Sequence, residues 1–260
     1  MKNCGLDKPE KCCIVPGKRK DPAEMKSVPR IGLTTLFKEN PGVAGDWYVR
    51  PHKYDLAVAE AGGLPVSIPA FADDKLLEEY LDMLDGMLFI GGPDIPPHLY
   101  GGEPHPKICP LEENVARNHL KLVRLAFQRS IPVVGICLGM QELNAAGGGA
   151  IIPDLGDLVP YHKRSGGDQY HQAMLEPDSR LAEIFGCREL RVNSCHHQAV
   201  DPEKLAPNAK VTAFCGEVVE AIEFPGPVFR IGLQWHPERI DDDAHRKKIF
   251  GAFLSACRGA

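Results

Sequence analysis

The sequence predicts an α/β fold with a mostly parallel central sheet, flanked by helices and continued by an antiparallel extension. From residue 30 to residue 146, short apolar runs alternate with segments of helical periodicity, the pattern of βαβ units. These runs are apolar almost without interruption, as expected for strands covered on both faces. Later in the chain, strand-like runs follow one another through short connections, which favours antiparallel pairing.

The first half of the chain supplies four strands and four helices in turn. Each predicted helix has apolar residues three or four positions apart, as Leu77, Leu81 and Leu84 are in the second one. Gly62 and Gly63 end the first helix. The predicted strands are residues 30–35, 64–69, 86–90 and 131–136, and the predicted helices are residues 51–61, 73–84, 112–129 and a segment ending at residue 146.

The second half supplies the antiparallel extension and a closing helix. The predicted strands are residues 190–193, 210–215, 218–224 and 229–235, and the helix covers residues 242–257. We expect one domain over residues 29–260. Residues 1–28 lack periodicity and are predicted to be a poorly ordered tail.

Composition excludes several classes of function. The net charge of −5 argues against nucleic acid as the main partner, because phosphate binding needs a basic surface. No apolar stretch approaches the roughly 18 residues of a membrane span, and the polar start lacks a signal-peptide core. We therefore expect a cytoplasmic protein. Its nine scattered cysteines are interpreted as reduced thiols, and Cys4, Cys12 and Cys13 lack the paired spacing of zinc sites.

The strongest functional signal is the segment GICLGMQ, from Gly135 to Gln141. A sharp strand-to-helix turn exposes its central side chain, and glycines two residues before and after relieve the crowding. Cys137 holds the central position, with Gly135 and Gly139 on either side. The helix N-terminus would favour the thiolate form. A buried structural cysteine is the alternative, but the glycines favour a nucleophile.

A base and an orienting acid are predicted in the segment QWHPE, at the end of the last apolar run. The residue before a proline is held extended, so His236 and Glu238 project to the same side. Glu238 can then fix the imidazole of His236. With Cys137, these residues form a cysteine version of the hydrolase triad.

Acyl transfer also requires donors for the oxyanion of the intermediate. Gly91 and Gly92 follow a predicted strand, and glycine allows a backbone N–H to approach a ligand closely. The backbone amides of Gly92 and Leu138 are the predicted donors. A simple tight turn explains the glycine pair equally well when it is considered alone.

These segments, in this order, resemble the class I glutamine amidotransferase superfamily, over about residues 30–258. The resemblance implies a flavodoxin-like fold, a triad of Cys137, His236 and Glu238, and a γ-glutamyl thioester intermediate. It also implies that Gln141 contacts the glutamyl part of the substrate.

Two further segments are similar to the γ-glutamyl hydrolase branch, which includes γ-glutamyl-γ-aminobutyrate hydrolases. They are residues 91–101 (GGPDIPPHLYG) and residues 192–200 (VNSCHHQAV). The resemblance implies substrate contacts for Gly91, Ser194, His196 and His197. Leu138 departs from the branch, which often has arginine there, and residues 117–121 (RNHLK) depart from its Arg-Asp-x-x-Glu pattern. We therefore leave the leaving group unassigned.

Three functions stay open at this level. The first is a stand-alone γ-glutamyl hydrolase of a small metabolite, which needs no metal or organic cofactor. The second is a glutaminase subunit that supplies ammonia to a separate synthase, and the third is a binding protein without turnover. The oligomeric state is open, with a homodimer as one option. His162 and His171 are expected on the solvated surface, and the leaving-group pocket is expected from loops 47–54, 98–110 and 161–170.

Overall fold

The computed structural model describes residues 28–39, 45–69, 73–156 and 168–259. The predicted tail therefore lies outside the described residues except for its last position. His162 and the cysteines Cys4, Cys12 and Cys13 also lie outside them.

A nine-stranded mixed sheet forms the centre of the described chain. The strands of the described chain are β1 (Arg30–Thr34), β2 (Leu36–Lys38), β3 (Trp47–Val49), β4 (Leu64–Ile68), β5 (Gly86–Phe89), β6 (Val133–Ile136), β7 (Ile151–Ile152), β8 (Gln169–Leu175), β9 (Glu189–Ser194), β10 (Ala199–Val200), β11 (Lys210–Cys215), β12 (Val218–Glu223) and β13 (Arg230–Leu233). The strand order of the large sheet is β4-β1-β5-β6-β13-β12-β11-β8-β9, with parallel pairing from β4 to β13 and antiparallel pairing from β13 to β9. Two small two-stranded sheets pair β2 with β3 and β7 with β10.

Helices cover both faces of this sheet, and several begin at a side-chain cap. Asp73 accepts hydrogen bonds from two backbone N–H groups at the start of the second helix, and Asp242 does the same at the last. A 3₁₀ turn covers Pro97–Leu99. The helices are α1 (Lys53–Glu60), α2 (Asp74–Asp82), α3 (Glu113–Gln128), α4 (Leu138–Ala146), α5 (Arg180–Phe185) and α6 (Asp243–Arg258).

The core lies in two layers, one on each face of the sheet. One layer contains Tyr54 of α1 and Phe253 of α6, and the other contains Leu81 of α2, Leu122 of α3 and Met140 of α4. The strands between them are buried on both faces, which explains their continuous apolar character.

The predicted α/β fold is confirmed, and most differences concern short or polar elements. Residues 229–235 were expected in the antiparallel extension, but β13 pairs in parallel with β6 as well as antiparallel with β12. Strand β8 was not predicted, because only Leu175 of its buried positions is strongly apolar, the others being His171 and Ala173. Helix α5 has six residues, too few to show a helical period. The β2–β3 hairpin has three-residue strands, so part of the predicted 47–54 loop is β3. Tyr170, expected in a loop, lies in β8.

Among the described residues, no helix combines the length and the apolar character that a membrane crossing requires.

Candidate active site

Three predicted segments meet at one edge of the sheet because three neighbouring parallel strands end there. Phe89 of β5 lies beside Gly135 of β6, and Ile136 of β6 lies beside Leu233 of β13. The residues that follow these strands therefore share the carboxyl edge, the usual ligand site of open α/β sheets. The sequence separation is large, but the register alone brings the segments together.

Cys137 occupies a strained turn between β6 and α4. Its φ is 52° and its ψ is −104°, outside the regions that L-residues favour, and it stands at the N-cap of α4. A Cβ at Gly135 would lie 2.5 Å from the carbonyl oxygen of Gly139, and a Cβ at Gly139 would overlap the carbonyl oxygen of Phe89. Only glycine fits at either position, as the strand-to-helix turn requires.

His236 lies between the thiol and a carboxylate. Its Nδ1 is 2.9 Å from Oε1 of Glu238, and Cys137 lies close enough to its ring to interact with it electrostatically. Burial alone would lower the pKa of His236, but Glu238 and then Cys137 outweigh burial and raise it to about 10. An imidazolium at neutral pH favours a thiolate beside it, which is the nucleophilic form of cysteine.

The two glycines after β5 have different surroundings. The N–H of Gly91 donates to the hydroxyl of Tyr54 at 2.9 Å, and a Cβ on Gly91 would lie 2.8 Å from both His236 and that hydroxyl. Gly91 thus packs behind the triad and does not line the cleft. Gly92 lines the cleft together with Cys137. Leu138 begins α4, so its amide lies at the helix N-terminus, while its side chain is buried in an apolar cluster.

The cleft beside Cys137 is small and mostly polar. Besides Gly92 and Cys137, three of the predicted substrate-contacting residues line it, namely Gln141, His196 and His197. Ser194 is fully buried at the end of β9 and does not line it. Residues that sequence reasoning missed also line it: Asp94, Cys195 and Gln198.

Hydrogen bonds order the cleft walls. Nε2 of His197 lies 3.2 Å from both carboxylate oxygens of Asp94, and its Nδ1 lies 3.4 Å from Asp154. Nδ1 of His196 lies 2.8 Å from the carbonyl oxygen of Gln198. These contacts fix both rings in the protein frame.

Gln234 links the thiol to the predicted glutamyl-contacting residue. Its side-chain amide donates to Sγ of Cys137 at 3.6 Å, and its oxygen accepts from Gln141 at 3.3 Å. The sequence places Gln234 two residues before His236, but nothing in the pattern indicated that it reaches the sulfur.

His171, His196 and Glu220 form a buried cluster of ionisable side chains next to the cleft. The expectation that His171 lies on the solvated surface is therefore wrong. Nε2 of His171 is 3.1 Å from Oε1 of Glu220, and Nε2 of His196 is 3.8 Å from the same oxygen. His171 is buried because it points inward from β8. Burial raises the pKa of Glu220, and His171 opposes that rise. Within the described ranges, no three His, Cys, Asp or Glu side chains are grouped to hold a metal.

A mixed α/β sheet with a cysteine elbow at its carboxyl edge defines the class of protein, the class I glutamine amidotransferase-like proteins. The family model of peptidase C26 matches residues 29–238, and the chain belongs to that family. It is therefore a hydrolase that acts on amide bonds.

Several known proteins are similar to this chain. NtpR of Enterococcus hirae is 34% identical over 220 residues, covering 76% of this chain and 90% of NtpR. The γ-glutamyl-γ-aminobutyrate hydrolase PuuD of Escherichia coli K12 is 32% identical over 221 residues, covering 79% of this chain and 85% of PuuD. The glutaminase domain of CTPS from Trypanosoma brucei superposes with a TM-score of 0.63 at 13% identity, covering 89% and 94% of the two chains. This last likeness shows the fold.

Proposed function

We propose that the protein hydrolyses a γ-glutamyl amide bond in a small metabolite and releases glutamate and an amine. The observation that carries the proposal is the contact of Cys137, in its strained turn, with the buried His236–Glu238 pair. Similarity to a γ-glutamyl-γ-aminobutyrate hydrolase supports the γ-glutamyl part of the proposal. The amine part stays unassigned.

The first half of the reaction forms a thioester. The Cys137 thiolate attacks the γ-carbonyl carbon, and the amides of Gly92 and Leu138 donate hydrogen bonds to the oxyanion that develops. The C–N bond breaks as His236 passes its proton to the departing nitrogen. The products of this half are a γ-glutamyl thioester, a neutral imidazole and a free amine.

The second half restores the enzyme. The neutral imidazole of His236 removes a proton from water, and the resulting hydroxide attacks the thioester carbon. The C–S bond breaks, which releases glutamate and returns the thiolate beside the imidazolium. Glu238 stabilises the imidazolium in both halves, because its carboxylate lies 2.9 Å from Nδ1.

The cleft walls suit an amino-acid head group. Gln141, His196 and His197 present polar groups next to Cys137, and the Asp94 carboxylate lies among them. A glutamyl head carries one ammonium and one carboxylate, so a wall with both hydrogen-bond donors and acceptors matches it.

The assay uses purified protein alone with L-glutamine and a panel of γ-glutamyl amides, including γ-glutamyl-γ-aminobutyrate, and follows free glutamate. Cys137→Ala is the inactive variant, and Cys109→Ala, which changes an exposed thiol, is the matched control. We expect release from an amide other than glutamine in the wild type and in Cys109→Ala only. Turnover of glutamine alone, or only after a synthase is added, would instead identify an ammonia-supplying subunit. No turnover under either condition would favour a binding protein.

A further inference from the structure

The turn that carries His236 and Glu238 is held by residues from a distant part of the chain. Asp168, directly before β8, accepts two hydrogen bonds from the Arg239 guanidinium, from Nε at 3.0 Å and from Nη2 at 2.7 Å. Asn193 of β9 donates to the same carboxylate at 2.8 Å, and its own oxygen accepts the backbone N–H of His236 at 3.0 Å. The two sides of the turn are thus tied to one carboxylate.

We infer that Asp168 is a positioning residue that keeps the Arg239 guanidinium away from Glu238, so that Glu238 remains with His236. The inference rests on the proposed function in that it takes His236 as the base. Asp168 itself touches neither the thiol nor the imidazole in any hydrogen bond described above.

Arg239 needs this restraint because it adjoins Glu238 in sequence. Oε1 of Glu238 is used by His236, whereas its buried Oε2 has no hydrogen-bond partner among the described residues. A guanidinium released from Asp168 could therefore donate to Oε2, and Arg–carboxylate bonds are stronger than neutral ones. The charge of Glu238 already reaches Arg239: burial lowers the pKa of Arg239, but Asp168 and then Glu238 raise it.

A released guanidinium would weaken the imidazolium. The charged or titratable groups that act on His236 are Glu238 and Cys137, and the Arg239 guanidinium and Tyr54 of α1 interact electrostatically with Glu238. Tyr54 stays neutral, since burial and then Glu238 raise its pKa well above 10. If Glu238 were shared with Arg239, its pull on the proton of His236 would fall. The thiolate–imidazolium pair would then exist over a narrower pH range. The rise of Cys137 alkylation on the acid side of its pH profile would move to higher pH.

The test compares Asp168→Asn, Arg239→Met and the double variant. Two readouts are used: kcat and KM for the γ-glutamyl substrate, and the pH profile of Cys137 alkylation by iodoacetamide, assigned by peptide mass. For Asp168→Asn we expect kcat to fall by about 10- to 100-fold with KM within about twofold, and the acid limb of alkylation to move to higher pH. Arg239→Met should stay near wild type, since no cation is left to reach Glu238.

The double variant tests whether the Arg239 guanidinium causes the loss of activity expected for Asp168→Asn. Removing the guanidinium should rescue Asp168→Asn, because the substituted amide keeps a carbonyl oxygen that can still accept the hydrogen bond from Asn193. A double variant no better than Asp168→Asn, or an Asp168→Asn enzyme indistinguishable from wild type, would overturn the inference. Asp241→Asn, which removes an exposed partner of Arg191, is the matched control and should change neither readout.

Two further outcomes keep the test decisive. If Asp168→Asn does not fold, Arg239→Lys replaces it, because lysine keeps the charge but loses the two-pronged contact with Asp168. The inference then requires Arg239→Lys to be slower than Arg239→Met, and equal rates would contradict it. Alkylation needs no substrate, so it tests the inference separately from the proposed function. If the wild type hydrolyses no γ-glutamyl amide but the variants show the expected shifts in alkylation, the proposed function is wrong and the positioning role of Asp168 stands.

Discussion

Two buried histidine–carboxylate pairs make nearly the same contact, one next to Cys137 and the other between α3 and α4, the helix that begins after Cys137. Nδ1 of His236 is 2.9 Å from Glu238, and Nδ1 of His119 is 2.7 Å from Glu142. In both cases burial opposes the charged imidazole and the carboxylate outweighs it, so both pKa values are raised. The pairs differ in what the second ring nitrogen faces.

The second nitrogen decides what each pair does. The ring of His236 also contacts Cys137, whose sulfur can react, whereas Nε2 of His119 lies 3.1 Å from the carbonyl oxygen of Thr35. His119 therefore ties the end of β1 to Glu142 of α4, the helix that begins at Cys137. On the proposed function, the same two groups take part in the reaction in one place and hold helix α4 against the end of β1 in the other.

A third histidine shows the opposite electrostatic outcome. Nε2 of His245 accepts a hydrogen bond from the indole N–H of Trp235 at 3.0 Å, so no proton fits there. Burial is the main cause that lowers the pKa of His245 to about 4. Asp242 raises the pKa of His245, but burial outweighs it and Lys248 adds to the lowering.

The largest expected difference between the two raised-pKa pairs is in activity. His236→Gln should lower kcat by at least about 10³-fold, because the thiol loses its proton partner. His119→Gln should lower kcat by less than about tenfold, since His119 contacts no reacting atom. Single-turnover kinetics on the best γ-glutamyl substrate would measure both. Comparable losses of kcat in the two variants would show that the His119–Glu142 pair also takes part in the reaction.

The next difference is in stability. His119→Ala should lower the free energy of unfolding by about 3–5 kcal/mol, because it leaves the Glu142 carboxylate buried without its partner. Replacing both partners, as His119→Leu with Glu142→Met, should recover most of that loss. Urea unfolding measures each variant. A double variant as unstable as His119→Ala would mean that packing, and not the lone charge, causes the loss.

A smaller effect on stability is expected at Gly139, next to the strained turn at Cys137 and on the same helix as Glu142. Gly139→Ala should destabilise the protein by about 1–3 kcal/mol, because the new methyl group overlaps the Phe89 carbonyl. Gly251→Ala is the matched control in α6: its Cβ meets nothing within 4 Å, and it should stabilise the protein by up to about 1 kcal/mol. Equal melting temperatures for the two variants would argue against the close approach.

The smallest effects are those of pH. Ring NMR should show His236 charged up to about pH 10 and His245 neutral down to about pH 4. The raised pKa of His119 means that its stabilising contribution is full below about pH 6.5 and is lost as pH rises through the folded-state value. The lowered pKa of His245 has the opposite sign, so stability falls as pH drops from about 6.5 towards 4. Titration of His119 below its ordinary pKa would contradict the pairing.

The part of the site that the sequence predicts consists of residues that lie within a few positions of one another. The spacing of Gly135, Cys137 and Gly139 reflects crowding between neighbouring residues, so the sequence carries it directly. The His236–Glu238 contact spans two residues, but it forms within a turn, in which the backbone N–H of Arg239 donates to the carbonyl oxygen of His236, and not along the predicted extended backbone. The parallel pairing of β5 with β6 follows from the βαβ pattern. The parallel pairing of β13 with β6 was not predicted, because residues 229–235 were expected in the antiparallel extension.

The unpredicted part depends on contacts between distant residues. His119 and Glu142 lie on separate helices. In the sequence, each is a polar residue of a kind that is common on the exposed face of a helix, and only the packing of the two helices buries it. Asp168 and Arg239 are 71 residues apart, and neither belongs to a motif. Tyr54 reaches Gly91 from α1, and no spacing rule connects them. Tertiary packing chooses these partners, and single-sequence patterns do not encode that choice.

The insertion of β13 between β6 and β12 has a consequence for the protein during its synthesis. Cys137 leaves the ribosome about a hundred residues before His236, a delay of roughly 5–20 s at about 5–20 residues per second. On the proposed mechanism, the nucleophile therefore has no base in the nascent chain until β13, the strand that completes the parallel half of the sheet, has been added.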